Sequence, residues 1–277
     1  VAEQDTNDTN DTAASENDSA PPAAPPSTLR VTQADGILTL ELARPERRNA
    51  LNPRLRQEVC AALAAAATDE TTRVVVLTGA GGHFCAGADL LDLDVDGLGV
   101  EMAALSGMIL ALRALPQPVI AKVSGHAAGA GANLALACDL VIADESARFT
   151  QIFARVGLSP DLGGSWFLPR LVGAQKAREL ALLGDEVDGR TAAQIGLVMR
   201  CVPADELDAA VSVLAGRLAG YSPQAQARTK RLLDDAWTTT LAEALEHETT
   251  AQVANAATPE FHQALTRFRT RHQGDRA

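Results

Sequence analysis

Apolar and polar residues alternate through LRVTQADGILTLEL, residues 29–42. This period of two predicts a pair of strands around Asp35-Gly36, a dipeptide suited to a tight hairpin because glycine accepts positive φ. ARPERRNALN (43–52) breaks the alternation and reads as a turn. Asn52-Pro53 then opens a helix, PRLRQEVCAALAAAA, since proline needs no N–H in the first helical turn. RVVVLTG (73–79) is a short apolar run that predicts a buried strand, followed by the loop AGGHFCAGADLLDLDVDG (80–97). The helix EMAALSGMILALRAL (101–115) stops before Pro116 and Pro118. VIAKVSG (119–125) predicts another buried strand, AAGAGANLALAC (127–138) leads into a helix, DLVIAD (139–144) is a further strand and ARF (147–149) a short one. Beyond residue 165 the pattern is mainly helical, with a strand-like piece at GLVMRCVP (196–203) and amphipathic helices around 204–219, 222–237 and 239–272.

Short strands alternating with helices, each strand ending in a loop of small residues, imply an α/β core with a ligand site at the strand C-termini. The expected organisation is a core over 28–204 and a helical region over 205–277 that acts as a lid or an oligomer contact. Residues 1–27 differ in kind. They are Asn, Asp, Thr, Ala and Pro, hold six acids and no Lys or Arg, and so carry more than half of the net charge of −11. Such a segment cannot bury enough apolar surface to offset its ordering entropy and reads as a disordered tail.

Charge and composition narrow the chemistry. The remaining chain is mildly acidic, which argues against nonspecific nucleic-acid binding. The four cysteines, Cys60, Cys85, Cys138 and Cys201, lack CxxC spacing and sit in apolar contexts, so reduced thiols are expected rather than a zinc site. No apolar run approaches the length of a membrane span, and the N-terminus lacks a secretory pattern, which points to a cytoplasmic protein. Gly129-Ala130-Gly131 has Leu134 where a dinucleotide fingerprint needs its third glycine. Ser165 follows two glycines but lacks the trailing glycine of a nucleophile elbow.

Two glycine-rich loops remain. Small residues at Gly87-Ala88 and Ala130-Gly131 let a ligand approach main-chain N–H groups. Convergence of the two would make an oxyanion hole. FARVGLSPDLGG (153–164) adds one carboxylate, Asp161, in an otherwise apolar and glycine-rich stretch. An aspartate there is either a helix N-cap or a base whose charged form is disfavoured by its surroundings.

Four segments in order make a resemblance specific. HFCAGADLLDL (83–93) and AKVSGHAAGAGANLALACDLVIADESARFTQIFARVGLSPDLGGSWFLPRLVG (121–173) are similar to the two signatures of the enoyl-CoA hydratase/isomerase, or crotonase, superfamily. RPERRNALN (44–52) resembles its CoA-loop pattern and EFHQALTRFRTR (260–271) its C-terminal helix. The resemblance spans about residues 28–272. It implies a spiral of ββα repeats with a C-terminal helical trimerisation region, a homotrimer or hexamer, and an acyl-CoA substrate, with coenzyme A arriving as part of that substrate and no metal or redox cofactor. It implies that Ala88 and Ala130 supply the two oxyanion N–H groups. CoA contacts are implied for Arg47, Arg48, Cys85, Ala86, Gly87, Asp89 and Leu90, with Lys230 on a phosphate and Gly131 and Phe153 lining the substrate site.

The sequence departs from the hydratase pattern at both catalytic glutamates. Asn133 stands where the first belongs and Phe153 where the second belongs. Neither can deprotonate water or deliver a proton to carbon. Asp161, in GLSPDLGGSW, instead resembles the isomerase branch, most closely the ring-epoxide phenylacetyl-CoA isomerase type. The expected activity is therefore acyl-CoA thioester isomerisation, with Asp161 as base and Asn133 orienting substrate or water. An enoyl-CoA hydratase and a non-catalytic acyl-CoA binding protein are the alternatives. His83 and His126 lie near the loops and are expected to be structural.

Overall fold

The computed structural model describes residues 27–89 and 95–274; the tail and Leu90 lie outside the described residues. Leu29–Ala34 (β1) and Ile37–Leu42 (β2) form the expected antiparallel hairpin. Asp35 and Gly36 both take positive φ, 52° and 76°, so the turn twists with the strands it joins. Alternation in β2 buries Leu38, Leu40 and Leu42. The chain then crosses through Pro53–Thr68 (α1), whose first turn is capped by the Asn52 side chain accepting from Leu55 N–H.

Val74–Gly79 (β3), Val119–Val123 (β4), Leu140–Asp144 (β6) and Arg200–Val202 (β9) extend a six-stranded sheet in the order β1-β2-β3-β4-β6-β9, parallel after the hairpin. A parallel sheet is covered on both faces, which explains why β3 reads as an unbroken apolar run. Val75 and Leu77 point into the main core with Leu55, Val59 and Leu63 of α1 and Leu105, Met108 and Leu112 of Leu98–Ala114 (α2). Val74 and Val76 face the other way and meet Ile120, Ile142 and the Leu207, Val211 and Ala215 side chains of Leu207–Ala219 (α6).

A second sheet was not legible in the pattern. His126–Ala128 (β5), Arg148–Thr150 (β7) and Glu186–Asp188 (β8) pair in the order β5-β7-β8. Three residues are too few to show a period. The two sheets define the repeat. Each turn places one strand in the large sheet, one short strand in the small sheet and then a helix: β4, β5 and Ala130–Leu136 (α3), then β6, β7 and Gly164–Leu183 (α4). β3 starts the series, with Cys85 bridging to Ala127 of β5 before α2. The result is the α/β spiral of ββα units expected from the resemblance.

Helix α4 bends at Gly173, whose φ of 75° and ψ of 162° are not helical. After Gly189–Gln194 (α5), β9 and α6, the chain ends in Pro223–Asp235 (α7), Leu241–Ala256 (α8) and Pro259–Gly274 (α9). Neither α7 nor α8 has a buried residue. Among the described residues, no helix is long and apolar enough to cross a membrane.

Candidate active site

Residues 85–89 run between two neighbours, with one isolated bridge to each. On one side Leu51 N–H donates to Gly87 O at 2.7 Å, and Asp89 N–H donates to Leu51 O at 2.9 Å. On the other, Cys85 N–H donates to His126 O at 3.0 Å and Ala128 N–H donates to Cys85 O at 3.0 Å. Ala88 pairs with Leu51 in an isolated parallel bridge, whose bonds are made by the residues on either side of Ala88. With Asp89 N–H and Gly87 O both committed to Leu51, Ala88 N–H points away from Leu51, and it has no acceptor among the described residues. Ala130, the first residue of α3, likewise leaves its N–H without an acceptor among the described residues, because the first turn of a helix has no preceding carbonyl to use.

The two loops approach each other closely at their glycines. A Cβ at Gly87, where φ is 96°, would lie 2.7 Å from Ala128 O and 3.5 Å from Ala130 N. A Cβ at Gly131 would lie 2.2 Å from Cys85 O. No side chain fits at either place, so glycine there is a condition of the loops meeting. Gly129 N–H donates to Thr150 O at 2.8 Å, which pins the second loop to the end of β7.

Asp161 lies in the turn that precedes α4. Its carbonyl accepts from Gly164 N–H at 2.8 Å and from Asn133 Nδ2 at 2.9 Å. Leu162 and Gly163 follow with φ of 44° and 82°, and Gly163 is the helix N-cap. The cap position therefore belongs to glycine, and no side chain caps α4. Asp161 Oδ1 is buried without a hydrogen-bond partner among the described residues. Burial raises its pKa from the ordinary carboxylate value to about 6, against a small opposing pull from its own backbone N–H.

The two hydratase-glutamate positions are occupied as the sequence says, and both side chains are buried. Asn133 is fully enclosed, with Oδ1 accepting from Gln151 Nε2 at 2.9 Å and Nδ2 donating to Asp161 O. Both ends of its amide are thus engaged within the protein, one of them on the Asp161 turn. The Phe153 ring packs against Gly129, with Cζ 3.5 Å from the place a Cβ there would occupy.

Other expected contacts distribute unevenly. Arg47 and Arg48 are exposed on the turn beside residues 85–89, and Arg48 O accepts from Ala86 N–H at 2.9 Å. Neither arginine forms an ion pair among the described residues. Ala86 and Ala88 are partly exposed, whereas Cys85, Gly87 and Asp89 are buried between them. The Cys85 carbonyl and N–H are both spent on β5, and burial pushes its thiol up to about 12, so Cys85 serves that pairing and does not offer groups to a ligand. The Asp89 carboxylate is committed to Arg44, with Nη2–Oδ2 at 2.9 Å in a nearly enclosed pair. Arg44 also donates to Ala50 O, and it is the residue that sequence reasoning missed here. Its signal was weak, since RPERR offers three arginines and nothing local marks the buried one.

Lys230 is not brought to the loops. Its Nζ lies 2.6 Å from Asp139 Oδ2 and donates to Gln117 O at 2.8 Å. Those partners sit at the N-terminal ends of β4 and β6, whereas both loops follow strand C-termini. Within the chain, Lys230 fastens α7 to the sheet. His83 and His126 stack at 5.1 Å, and His126 N–H donates to His83 Nδ1 at 3.3 Å. Burial first, then His126 and Arg48, hold the His83 imidazole below its ordinary pKa, which fits a structural pair.

Comparison with known proteins identifies the family. The sequence profile of enoyl-CoA hydratase/isomerase matches residues 32–275. A protein of Rhodobacter capsulatus named probable enoyl-CoA hydratase is 45% identical over 179 residues, 64% of this chain and 69% of that protein. The 1,2-epoxyphenylacetyl-CoA isomerase of Escherichia coli is 37% identical over 241 residues, 84% of this chain and 92% of that enzyme. The crystal structure of an enoyl-CoA hydratase from Bacillus anthracis superposes with a TM-score of 0.85 at 31% identity, covering 88% of this chain and 96% of the other. A profile match over most of the chain, together with the shared fold, makes this protein an enzyme of the enoyl-CoA hydratase/isomerase family.

Proposed function

We propose that the chain is an acyl-CoA thioester isomerase with Asp161 as its proton-transfer group. The observation that carries this reading is the Asp161 carboxylate itself. It is shielded, raised to about 6, relieved of any capping duty, and left with a buried oxygen that the fold does not use. Asn133 and Phe153 leave no glutamate at either hydratase position.

In this reading the thioester oxygen lies between Ala88 N–H and Ala130 N–H. Asp161 removes a proton from the α-carbon of a 3-enoyl thioester. The C–H electron pair moves into the carbonyl, and the two N–H groups hold the resulting oxyanion. Each such donor contributes about 2.7–4 kcal/mol in the transition state. Asp161 then returns its proton to the γ-carbon, the oxyanion collapses to the carbonyl, and the double bond has moved one position. In the same reading Arg47 and Arg48, both exposed, meet phosphates of the CoA moiety, and the Ala86–Ala88 backbone meets its adenine. Gly131 and Phe153 shape the base of the site. No electron or metal enters the scheme, so coenzyme A as part of the substrate is the only cofactor chemistry required.

The test is turnover of a 3-enoyl-CoA, together with exchange of substrate α- and γ-hydrogens in deuterated water, for wild type and Asp161→Asn. Loss of the base is expected to cost about 10²–10⁴-fold in kcat, with little change in thioester affinity. Wild-type rates for Asp161→Asn in both assays would remove Asp161 from the chemistry. Hydration of a 2-enoyl-CoA is the competing activity, favoured by the name of the Rhodobacter capsulatus relative. It is measured in the same samples by loss of the conjugated double bond.

A further inference from the structure

Thr150 and Gln151, adjacent at the end of β7, reach both halves of the site. Thr150 O holds the oxyanion loop through Gly129 N–H at 2.8 Å. The Gln151 side chain, 5% exposed, donates from Nε2 to Asn133 Oδ1 at 2.9 Å, and Asn133 Nδ2 donates to Asp161 O at 2.9 Å.

The direction of this chain of amides follows from chemistry. The Asp161 carbonyl can only accept, so Asn133 must turn its NH₂ toward it. Asn133 then presents its oxygen to Gln151, which must answer with its own NH₂. Reversing either amide sets two oxygens against each other in a buried place. Asn133 has no room to move away, because Gly164 packs so closely that a Cβ there would lie 2.4 Å from Asn133 Nδ2. The carbonyl of Asp161 is thereby held from the residue next to Thr150, whose carbonyl fixes the oxyanion loop.

We infer that Gln151 is a positioning residue of this enzyme, acting through Asn133 to hold the Asp161 turn in register with the oxyanion loop. The inference rests on Asp161 being the proton-transfer group. It explains why a buried glutamine is tolerated although its Oε1 has no partner among the described residues. Its Nε2 has a geometric task that an apolar residue of equal size cannot perform.

The experiment compares wild type, Gln151→Met, Gln151→Glu and Asp161→Asn as full-length chains. Gln151→Met keeps the length and removes the donor. Gln151→Glu keeps the shape and, when ionised, replaces the donor by an acceptor. Turnover of 3-hexenoyl-CoA is measured across pH, with thermal unfolding and hexanoyl-CoA binding as controls. The neighbours named here, Asn133 and Gln151, are uncharged, and no charged group contributes to the Asp161 shift. In Gln151→Met, which adds no charge, the acid limb of kcat/KM therefore reports the placement of that carboxylate; for Gln151→Glu, whose own carboxyl would move the limb directly, kcat at saturating substrate is the readout.

Both Gln151 variants are expected to lose about 10–100-fold in kcat, the cost of misplacing a reacting group by roughly an ångström. Hexanoyl-CoA affinity should stay near wild type and the acid limb of Gln151→Met should move. If one variant fails to fold, the other carries the test, since they perturb the site by different means. A folded variant with wild-type kcat, joined for Gln151→Met by a wild-type acid limb, or one altered only in unfolding temperature, overturns the assignment of Gln151. Wild-type turnover by Asp161→Asn overturns the base reading instead, so the two failures are distinguishable.

Discussion

Asp161 carries a consequence for stability as well as for rate. Its folded pKa of about 6 lies above the ordinary carboxylate value of 3.8. Between these values the folded state binds more protons than the unfolded chain, so the group's contribution to stability falls as pH rises through that window. Asp161→Asn should therefore stabilise the protein at pH 8 and lose that advantage below about pH 4, read as the difference in unfolding temperature at the two pH values. The activity runs the other way, because a base must be ionised: kcat/KM should fall as pH drops through about 6. A stability difference that is the same at both pH values would show that the carboxylate is not destabilised in the fold. Gly87 gives a second residue-scale prediction. Its Cβ would press within 2.7 Å of Ala128 O at a φ that side chains avoid. Gly87→Ala should push the two loops apart and lower kcat by at least the worth of one oxyanion donor, about 10²-fold. A crystal structure of the variant with unmoved loops and normal turnover would contradict this.

At the scale of elements, the start of β1 depends on one side chain of α1. Glu58 Oε2 accepts from Thr28 N–H, Thr28 Oγ1 and Leu29 N–H at 2.8 Å each, and from Ser27 Oγ at 3.0 Å. Burial opposes the charge, yet these donors together with Arg54 hold the carboxyl at about 2. A depressed pKa contributes stability that is present above the unfolded value and lost as pH falls toward 2. Glu58→Gln should destabilise the chain at pH 7 and cost little near pH 2, with amide exchange accelerating first in β1. Uniform exchange across the sheet would mean that β1 is held by its pairing with β2 alone. The helices after α6 behave differently from this strand. They are predicted well by their patterns, since each is long enough to show a period and starts at a recognisable signal, as in the Thr240–Glu243 capping box of α8. Their partners are not encoded locally.

For the whole molecule, apolar side chains on the C-terminal helices define the next expectation. Leu233, Leu241, Leu245 and Val253 are all more than half exposed, although α7 and α8 are regular helices. Such surface is expected to be covered by further copies of the chain, in keeping with a trimer or hexamer. Leu241→Glu combined with Leu245→Glu should lower the oligomer mass in light scattering, while deletion of residues 1–26 should leave mass and turnover unchanged. Retention of full mass by the double variant would place the assembly contact elsewhere.

The sequence by itself determined the elements whose length exceeds their period: the β1–β2 hairpin, the buried β3 run, and the helices of both halves. It also located the two glycine loops, and the replacement of both hydratase glutamates by Asn133 and Phe153 is a matter of identity alone. Tertiary structure decided what each polar group is used for. Asp89 looked available beside Ala88 and is bound to Arg44, 45 residues away in the chain. Lys230, for which the resemblance implies a phosphate contact, is fastened within the chain to Asp139 at the far end of the strands. Asp161 reads as a base that could also cap the following helix, and Gly163 takes the cap position. A hydrogen bond is satisfied by whichever partner the fold brings within 3 Å, and local pattern does not encode that partner. Burial, which raises Asp161, is likewise a property of everything packed around it.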